Sequence, residues 1–478
     1  MIRRAALLFA CTAALGACSM APHYERPAAP VPPGWPVGDA YLAQQEAALP
    51  SVTYTQIFRD PRLQQLIEQA LINNRDLRVA AANIASARAQ YRIRRAGILP
   101  EIDASAGATF RGGDGATGAK ESYSADIGAT GFELDLFGRL RSLSDSALNQ
   151  YFATEAAARA TRLALVGDIA NAWLTYAADQ SLLGIARETV TNAGRSVELT
   201  RARLDGGVAP RTDLRQAELV LAQAQSDLAE QRTALAQDVN ALQLLVGAPI
   251  DPALLPASID EAAPTLTALP AGLDSSILLR RPDVVQAEYR LRSANAEIGA
   301  ARAALFPRIS LTGLLGVASN ALGSLFENGA FSYSGSPGIA YPIFSGGAGR
   351  AGVAQSEADR DAALAAYEKA IQTAFQEVSD ALARHGTIAD QERAQDQLVA
   401  SATDNYQLSD ARYRGGIDTF LQSLDAQRSL YNAQRSLIAT ELTKATNLVT
   451  LYRVLGGDSS LEATDAGPQP VSPTNPAG

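Results

Sequence analysis

The chain has 478 residues, 47% of them hydrophobic, 19% charged and 6% aromatic, with 41 Lys+Arg against 50 Asp+Glu for a net charge of −9. An acidic chain exerts no general pull on nucleic acid, and two Cys and two His leave little material for a zinc or thiol centre. His23 and His385 read as ordinary surface residues, and the absence of a nucleophile elbow, P-loop or metal cluster argues against an enzyme.

The N-terminus opens on a basic stretch, Met1-Ile2-Arg3-Arg4, followed by an apolar run from Ala5 to Leu15 that is too short to span a bilayer. Leu15-Gly16-Ala17-Cys18 then places small residues before a cysteine, which resembles a bacterial lipoprotein signal. Cleavage there would remove residues 1–17, lower the charge to −11 and leave Cys18, carrying a covalent lipid, as the one remaining thiol. Ser19 at the next position suits export to the outer membrane, because lipoproteins retained in the inner membrane usually carry Asp there. A Pro-rich stretch (Pro22, Pro27, Pro30, Pro32, Pro33, Pro36) follows as an extended spacer.

Beyond it the chain is a tandem duplication. Arg203-Leu204-Asp205-Gly206-Gly207-Val208 aligns without a gap with Arg412-Tyr413-Arg414-Gly415-Gly416-Ile417, an offset of 209. Upstream, an offset of 207 pairs Asp76, Ala80, Ala87, Arg95 and Pro100 with Asp283, Ala287, Ala294, Arg302 and Pro307. Each unit begins with a helical run, about 61–98 and 283–306, that stops at a proline. A period of two follows: Ile102, Ala104, Ala106, Ala108 and Phe110, then Ile309, Leu311, Gly313, Leu315 and Val317. A turn leads to a second strand near 122–137 and again near 331–344. Next comes a proline-free Ala/Leu-rich run, about 139–204 and 348–413, long enough for a helix of ~100 Å. A Gly-Gly break ends each run before a returning helix, about 212–246 and 420–455. The chain thus divides into a signal at 1–17, a lipidated extended segment at 18–59, repeat 1 at 60–248, a Pro-rich linker at 249–282, repeat 2 at 283–457 and a disordered tail at 458–478.

No stretch offers ~18 uninterrupted apolar residues, so any membrane crossing must use strands. Four strands cannot close a barrel, and open edges are not tolerated in lipid. Two chains would give a filled eight-stranded barrel, whereas three give twelve strands and a lumen. The expected fold is therefore mainly α with a membrane β part: a wall of long coiled helices and, when three chains meet, a 12-stranded transmembrane β-barrel.

Five segments in order carry a family likeness: Asp60-Pro61-Arg62-Leu63, Asn73-Asn74-Arg75-Asp76-Leu77, Glu133-Leu134-Asp135-Leu136-Phe137-Gly138-Arg139, the run from Leu269 to Asp283, and Ser423-Leu424-Asp425-Ala426-Gln427. On these the mature chain resembles the TolC-like outer-membrane factor family, in its OprM-type lipoprotein branch. The resemblance implies a trimeric α-barrel of long coiled helices joined to the 12-stranded β-barrel, forming a homotrimeric exit duct of a tripartite efflux pump that works with a periplasmic adaptor and an inner-membrane transporter of the resistance-nodulation-division type. It implies no cofactor beyond the lipid. An exit duct for type I protein secretion shares the fold, and a periplasmic adaptor lipoprotein is a further alternative. The adaptor reading fits poorly, because two membrane-length hairpins stand where lipoyl-like segments would be expected.

By the same resemblance, the periplasmic gate falls on Asp213, Tyr413, Asp418 and Asp425. Asp418 stands where one branch has arginine, and Gln422 replaces a second aspartate, leaving one expected ring of like charge at Asp425. An Asp early in a helix equally favours the N-terminal dipole. Gly206, Gly207, Val208, Gly415, Gly416 and Ile417 form sharp reversals, for which glycine supplies the positive φ. The family also uses these tips to dock the adaptor.

Overall fold

The structure, a computed structural model, describes residues 19–36, 38, 40, 53–112, 121–266 and 275–471. Among the described residues seven longer helices and six strands run in the order α1 (Pro61–Asn73), α2 (Arg75–Ala96), β1 (Asp103–Phe110), β2 (Glu121–Glu133), α3 (Arg139–Asp205), α4 (Arg211–Val246), α5 (Pro282–Ala303), β3 (Arg308–Ser319), β4 (Phe331–Ala340), α6 (Ala348–Arg414), α7 (Phe420–Val454), β5 (Leu461–Thr464) and β6 (Gly467–Pro470). The two repeats match closely: α2 and α5 have 22 residues each, and α3 and α6 have 67 each.

Two compact units are assembled from interleaved segments, the first from 1–29, 82–155 and 286–369, the second from 30–81, 156–285 and 370–478. The first holds a four-stranded antiparallel sheet in the order β1-β2-β3-β4, so the central β2–β3 pair joins the two repeats. Its register sorts side chains by chemistry, since directly paired residues share a face. Ala104, Ala106 and Ala108 stand opposite Ile127, Ala125 and Tyr123. Ile127 and Ala125 in turn oppose Leu315 and Val317, which oppose Tyr333 and Phe331. The other face carries Asp103, Ser105 and Thr109 with Gly128, Asp126 and Ser122, then Thr312, Ser332, Ser334 and Ser336, with Leu314 its largest apolar member. The register slips between Ala129 and Phe132, where Gly131 takes φ +67°. Within the described chain β1 and β4 have no outer partner.

The first unit also contains the N-terminal strap. Asn295 Nδ2 donates to the Pro22 carbonyl at 2.8 Å, and a Cβ on Gly299 would lie 2.7 Å from the Ala21 nitrogen, so the strap crosses α5 at its one glycine. Glu288, 1% exposed, accepts from Arg26 Nη2 and Arg292 Nη2 at 2.9 Å each and from the Tyr24 hydroxyl at 3.3 Å. Burying a carboxylate this deeply is tolerable because its charge is matched by two guanidinium groups.

The second unit is helical. Asp60 caps α1, accepting from the Arg62 amide at 2.8 Å, and Pro61 at the first helical position needs no hydrogen-bond acceptor. Leu163, Val166, Ala170, Trp173 and Ala177 recur at three- and four-residue spacing along α3 and are all buried. Trp173 Nε1 donates to the Leu254 carbonyl at 3.0 Å, which satisfies its indole inside the core. Gly247 ends α4 at φ +73°, where a Cβ would come within 2.7 Å of the Asn73 carbonyl. Glycine is required there on both counts.

Three expectations need correction. The helical run at 61–98 is two helices, because Asn74 turns extended (ψ 137°). Its side chain then accepts from Leu77 N and donates to the Leu245 carbonyl. The linker at 249–282 is not free of regular structure: single turns form at Pro252–Leu254, Ile259–Ala262 and Ala263–Thr265, and two 3-10 turns at Ser275–Arg280. The described part of the tail, 458–471, is not disordered: β5 and β6 form a hairpin in which Leu461 is fully buried, while 472–478 lie outside the described residues. Thr464 closes its turn by donating to the Gly467 carbonyl at 2.8 Å.

Candidate functional site

At the ends of α3 and α6 the two Gly-Gly segments adopt one geometry. Gly207 and Gly416 are left-handed, at φ +72° and +75°. Gly207 N donates to the Leu204 carbonyl and Val208 N to the Arg203 carbonyl, each at 2.9 Å. In the second copy Gly416 N donates to Tyr413 O at 3.0 Å and Ile417 N to Arg412 O at 2.9 Å. This paired closure satisfies the last carbonyls of each long helix. It leaves Val208 and Ile417 at the apex, 70% and 68% exposed.

Below the tips lies an apolar cluster of Val197, Leu214, Ala217, Tyr413, Phe420 and Leu424. Tyr413 belongs to it, only 3% exposed, with its hydroxyl 3.3 Å from Thr200 Oγ1 and its ring 5.4 Å from that of Phe420. Arg203 lies over the ring at 4.8 Å and donates to the Tyr413 carbonyl at 2.6 Å. Asp418 is bound by Arg412 through two hydrogen bonds, 2.5 and 2.9 Å, and this guanidinium holds its carboxyl below the usual aspartate range. Asp213 lies in the first turn of α4, beside Leu214 of the cluster. Asp425 is exposed on the sixth residue of α7, past its first turn, so interaction with the helix dipole accounts less well for it than for Asp213. Among the described residues Asp213, Tyr413 and Asp418 do not form one hydrogen-bonded group; each has its own environment.

Sequence reasoning missed Arg203 and Arg412, although the repeat contains the signal. They occupy the same position in the two copies, and one closes on a tyrosine carbonyl while the other closes on Asp418. It also missed Thr200 and Phe420, which fix Tyr413, and Glu288, which fixes the strap. Cys18 lies outside the described residues. His23 is exposed, whereas His385 is half-buried in a cavity beside Glu441, and burial lowers its pKa. No cluster of His, Cys, Asp and Glu able to hold a metal is found among the described residues, and no described helix is long and apolar enough to cross a membrane.

A sequence model described as outer membrane efflux protein matches residues 66–248 and 273–457. The chain is 44% identical to the antibiotic efflux pump outer membrane protein ArpC of Pseudomonas putida and to the toluene efflux pump outer membrane protein TtgC of the same species. Each alignment covers 97% of this chain and 97% of the relative. Among solved structures, the open state of the Neisseria gonorrhoeae MtrE outer membrane channel superposes with a TM-score of 0.82 at 36% identity, over 92% of this chain and 98% of that one. With its duplicated helices, two-faced sheet and paired glycine tips, this chain belongs to the outer membrane efflux protein family.

Proposed function

We propose that the chain forms, as a homotrimer, the passive exit duct of a tripartite efflux pump, receiving small toxic compounds from an inner-membrane transporter through a periplasmic adaptor. The observation that carries this reading is the sorting of the sheet into an apolar face and a Ser/Thr/Asp face. A sheet at the rim of a soluble domain buries one face on a core, whereas this one exposes Ile127, Leu315, Phe331, Tyr333 and Ile339 on the apolar side. That pattern suits lipid outside and water inside. A strand of 10 residues such as β4 is ~33 Å long, or ~23 Å across when tilted 45°, which matches the apolar band of such barrels. Aromatic pairs mark its turn end, Phe110 with Tyr123 and Phe331 with Tyr333. Since β1 and β4 remain as edges, closure requires further copies.

The remaining roles follow from this frame. A lipid on Cys18 would attach next to Ser19, in the same unit as the sheet, consistent with a membrane anchor. Val208 and Ile417 are exposed aliphatic side chains on rigid glycine caps, suited to apolar docking by a helical hairpin of the adaptor. Asp425 would form the charged ring of the periplasmic gate, with Asp213, Tyr413 and Asp418 holding the tips around it. The two relatives named for antibiotic and toluene efflux support small organic cargo, and a transporter of the resistance-nodulation-division type fits that cargo.

Single-channel recording in planar bilayers tests the proposal. Wild type should show a small cation-selective conductance, and Asp425→Ala should lose selectivity or conduct more. An unchanged mutant would reduce Asp425 to a surface charge. Folded, oligomeric protein without channels would overturn the duct.

A further inference from the structure

The loop between β3 and β4 is closed by its own hydrogen bonds. Ala318 N donates to the Ala330 carbonyl at 2.8 Å, while Leu325 N donates to Leu322 O and Glu327 N to Ser324 O, at 3.3 Å each. Ser319 Oγ lies 2.5 Å from Ser324 Oγ. This loop buries Leu325, 6% exposed, and holds out its neighbour Phe326, 83% exposed. A phenyl ring fixed in that position is left uncovered by its own chain. It overhangs a recess of about 610 Å³ in the apolar face of the sheet. One cross-strand row there runs Ala106, Ala125, Val317, Phe331, so the surface falls from an aromatic ring to two methyl groups. Ile127 and Leu315, paired in the next row, wall the recess on the side away from the turns.

Chemistry and depth together name the occupant. The polar residues bordering the recess are Ser105 and Asp126, and the register assigns both side chains to the opposite face. The recess therefore offers no side-chain hydrogen bond to a polar ligand, and cargo on the other face of the sheet does not reach it. Ala106 and Ala104 lie four and six residues before the end of β1 at Phe110. That is ~13 and ~20 Å along the strand, or ~9 and ~14 Å deep at a 45° tilt. Both depths fall within half of a ~30 Å hydrocarbon core, in the leaflet at the turn end. We infer that the recess seats one fatty acyl chain of an outer-leaflet lipid, with the Phe326 ring closing over it. This rests on the reading that the apolar face meets lipid, and it adds a fixed position, a leaflet and the residue that holds the chain. Over the rest of the face a lipid exchanges one hydrocarbon surface for another and gains little. Between an alanine floor, an aliphatic wall and a phenyl ring, the chain gains packing contacts on several sides and is retained.

The test counts the lipid carried by the full-length, detergent-purified protein. Short-core lipopolysaccharide is the probe, and native mass spectrometry reads how many molecules each assembly keeps. Wild type should retain up to one per chain. Phe326→Ala should retain roughly fivefold less, through lost contacts with the ring. Ala106→Phe, which fills the floor, should lose the lipid as well, with circular dichroism confirming its fold. Leu322→Ala, in the same loop but outside the recess, should match wild type. Wild type that conducts in planar bilayers yet retains no lipid overturns the recess and leaves the duct standing. So does undiminished retention in both Phe326→Ala and Ala106→Phe, or an equal loss in Leu322→Ala. Folded wild type that neither retains lipid nor conducts sinks both readings.

Discussion

The buried carboxylate of Glu288 offers the most direct test of how the strap is held. Glu288→Ala removes the acceptor shared by Arg26, Arg292 and Tyr24 and leaves two cationic groups without their buried counter-charge. Breaking a buried pair costs ~3–5 kcal/mol, and since Arg26 is 38% exposed the lower end applies, about 3 kcal/mol. The loss is local, because every group concerned belongs to one unit. Each 1.4 kcal/mol is tenfold, so the open population of the strap should rise roughly 100-fold. Hydrogen exchange of the Ala21–Arg26 backbone amides, read by mass spectrometry, measures this, with the tip segment around Thr200 and Tyr413 as an internal reference that should not move. Glu288→Gln, which keeps an acceptor and loses the charge, should fall between wild type and Glu288→Ala. A rise below about fivefold for Glu288→Ala would refute the reasoning, and would assign the strap's position to its packing at Gly299 and its bond to Asn295.

Three further outcomes follow from the same structure. Glu441 is pushed up to about 7 by burial and by Asp260, Glu392 and Asp396, so the folded chain binds its proton more tightly than the unfolded one. Its stabilisation is full below the ordinary value of 4.5 and is lost as pH rises through 7; Glu441→Gln should remove that decline, worth on the order of 1 kcal/mol for a half-exposed group, and identical melting shifts between pH 5 and 8 in both proteins would contradict it. Gly207→Ala meets no atom within 4 Å and should cost about 1 kcal/mol through its positive φ alone, so a melting temperature equal to wild type would show that the cap relaxes. Leu461→Ala should cost ~2–5 kcal/mol if the C-terminal hairpin is part of the core, and an unchanged denaturation midpoint would return it to the status of a tail.

Much of the architecture was legible because it is built from repetition. The long helices announced themselves through proline-free Ala/Leu runs, and the equal offsets at Gly207 and Gly416 marked both ends. The strands were legible through their period of two, which also separated lipid-suited from water-suited faces. The hairpin at 461–470 was not, because Leu461 and Ala463 are the only apolar side chains on its buried face, and Gly467, Pro468 and Pro470 read as tail composition. The break at Asn74 was hidden for a different reason: the residue is extended because its amide reaches Leu245, 171 positions away, and no local pattern reports that bond. At the tips, sequence located Tyr413 and Asp418 but not their partners. Arg203 and Arg412 are equivalent by duplication and diverge in what they hold, a difference that arises only when four helix ends pack together.

The strap has a consequence for chain pairing. In an assembly of several copies of this chain α5 would find two identical seats, the α3 of its own chain and that of a neighbour, and such degeneracy invites domain swapping. Residues 21–26 lie across α5 at Gly299, next to Ser142 of α3, and are tied to it at Glu288 and Asn295. For α5 to change hosts it would have to shed this peptide as well as its helix partner. The strap thus acts as a latch of ownership, keeping each α5 with the chain that made it.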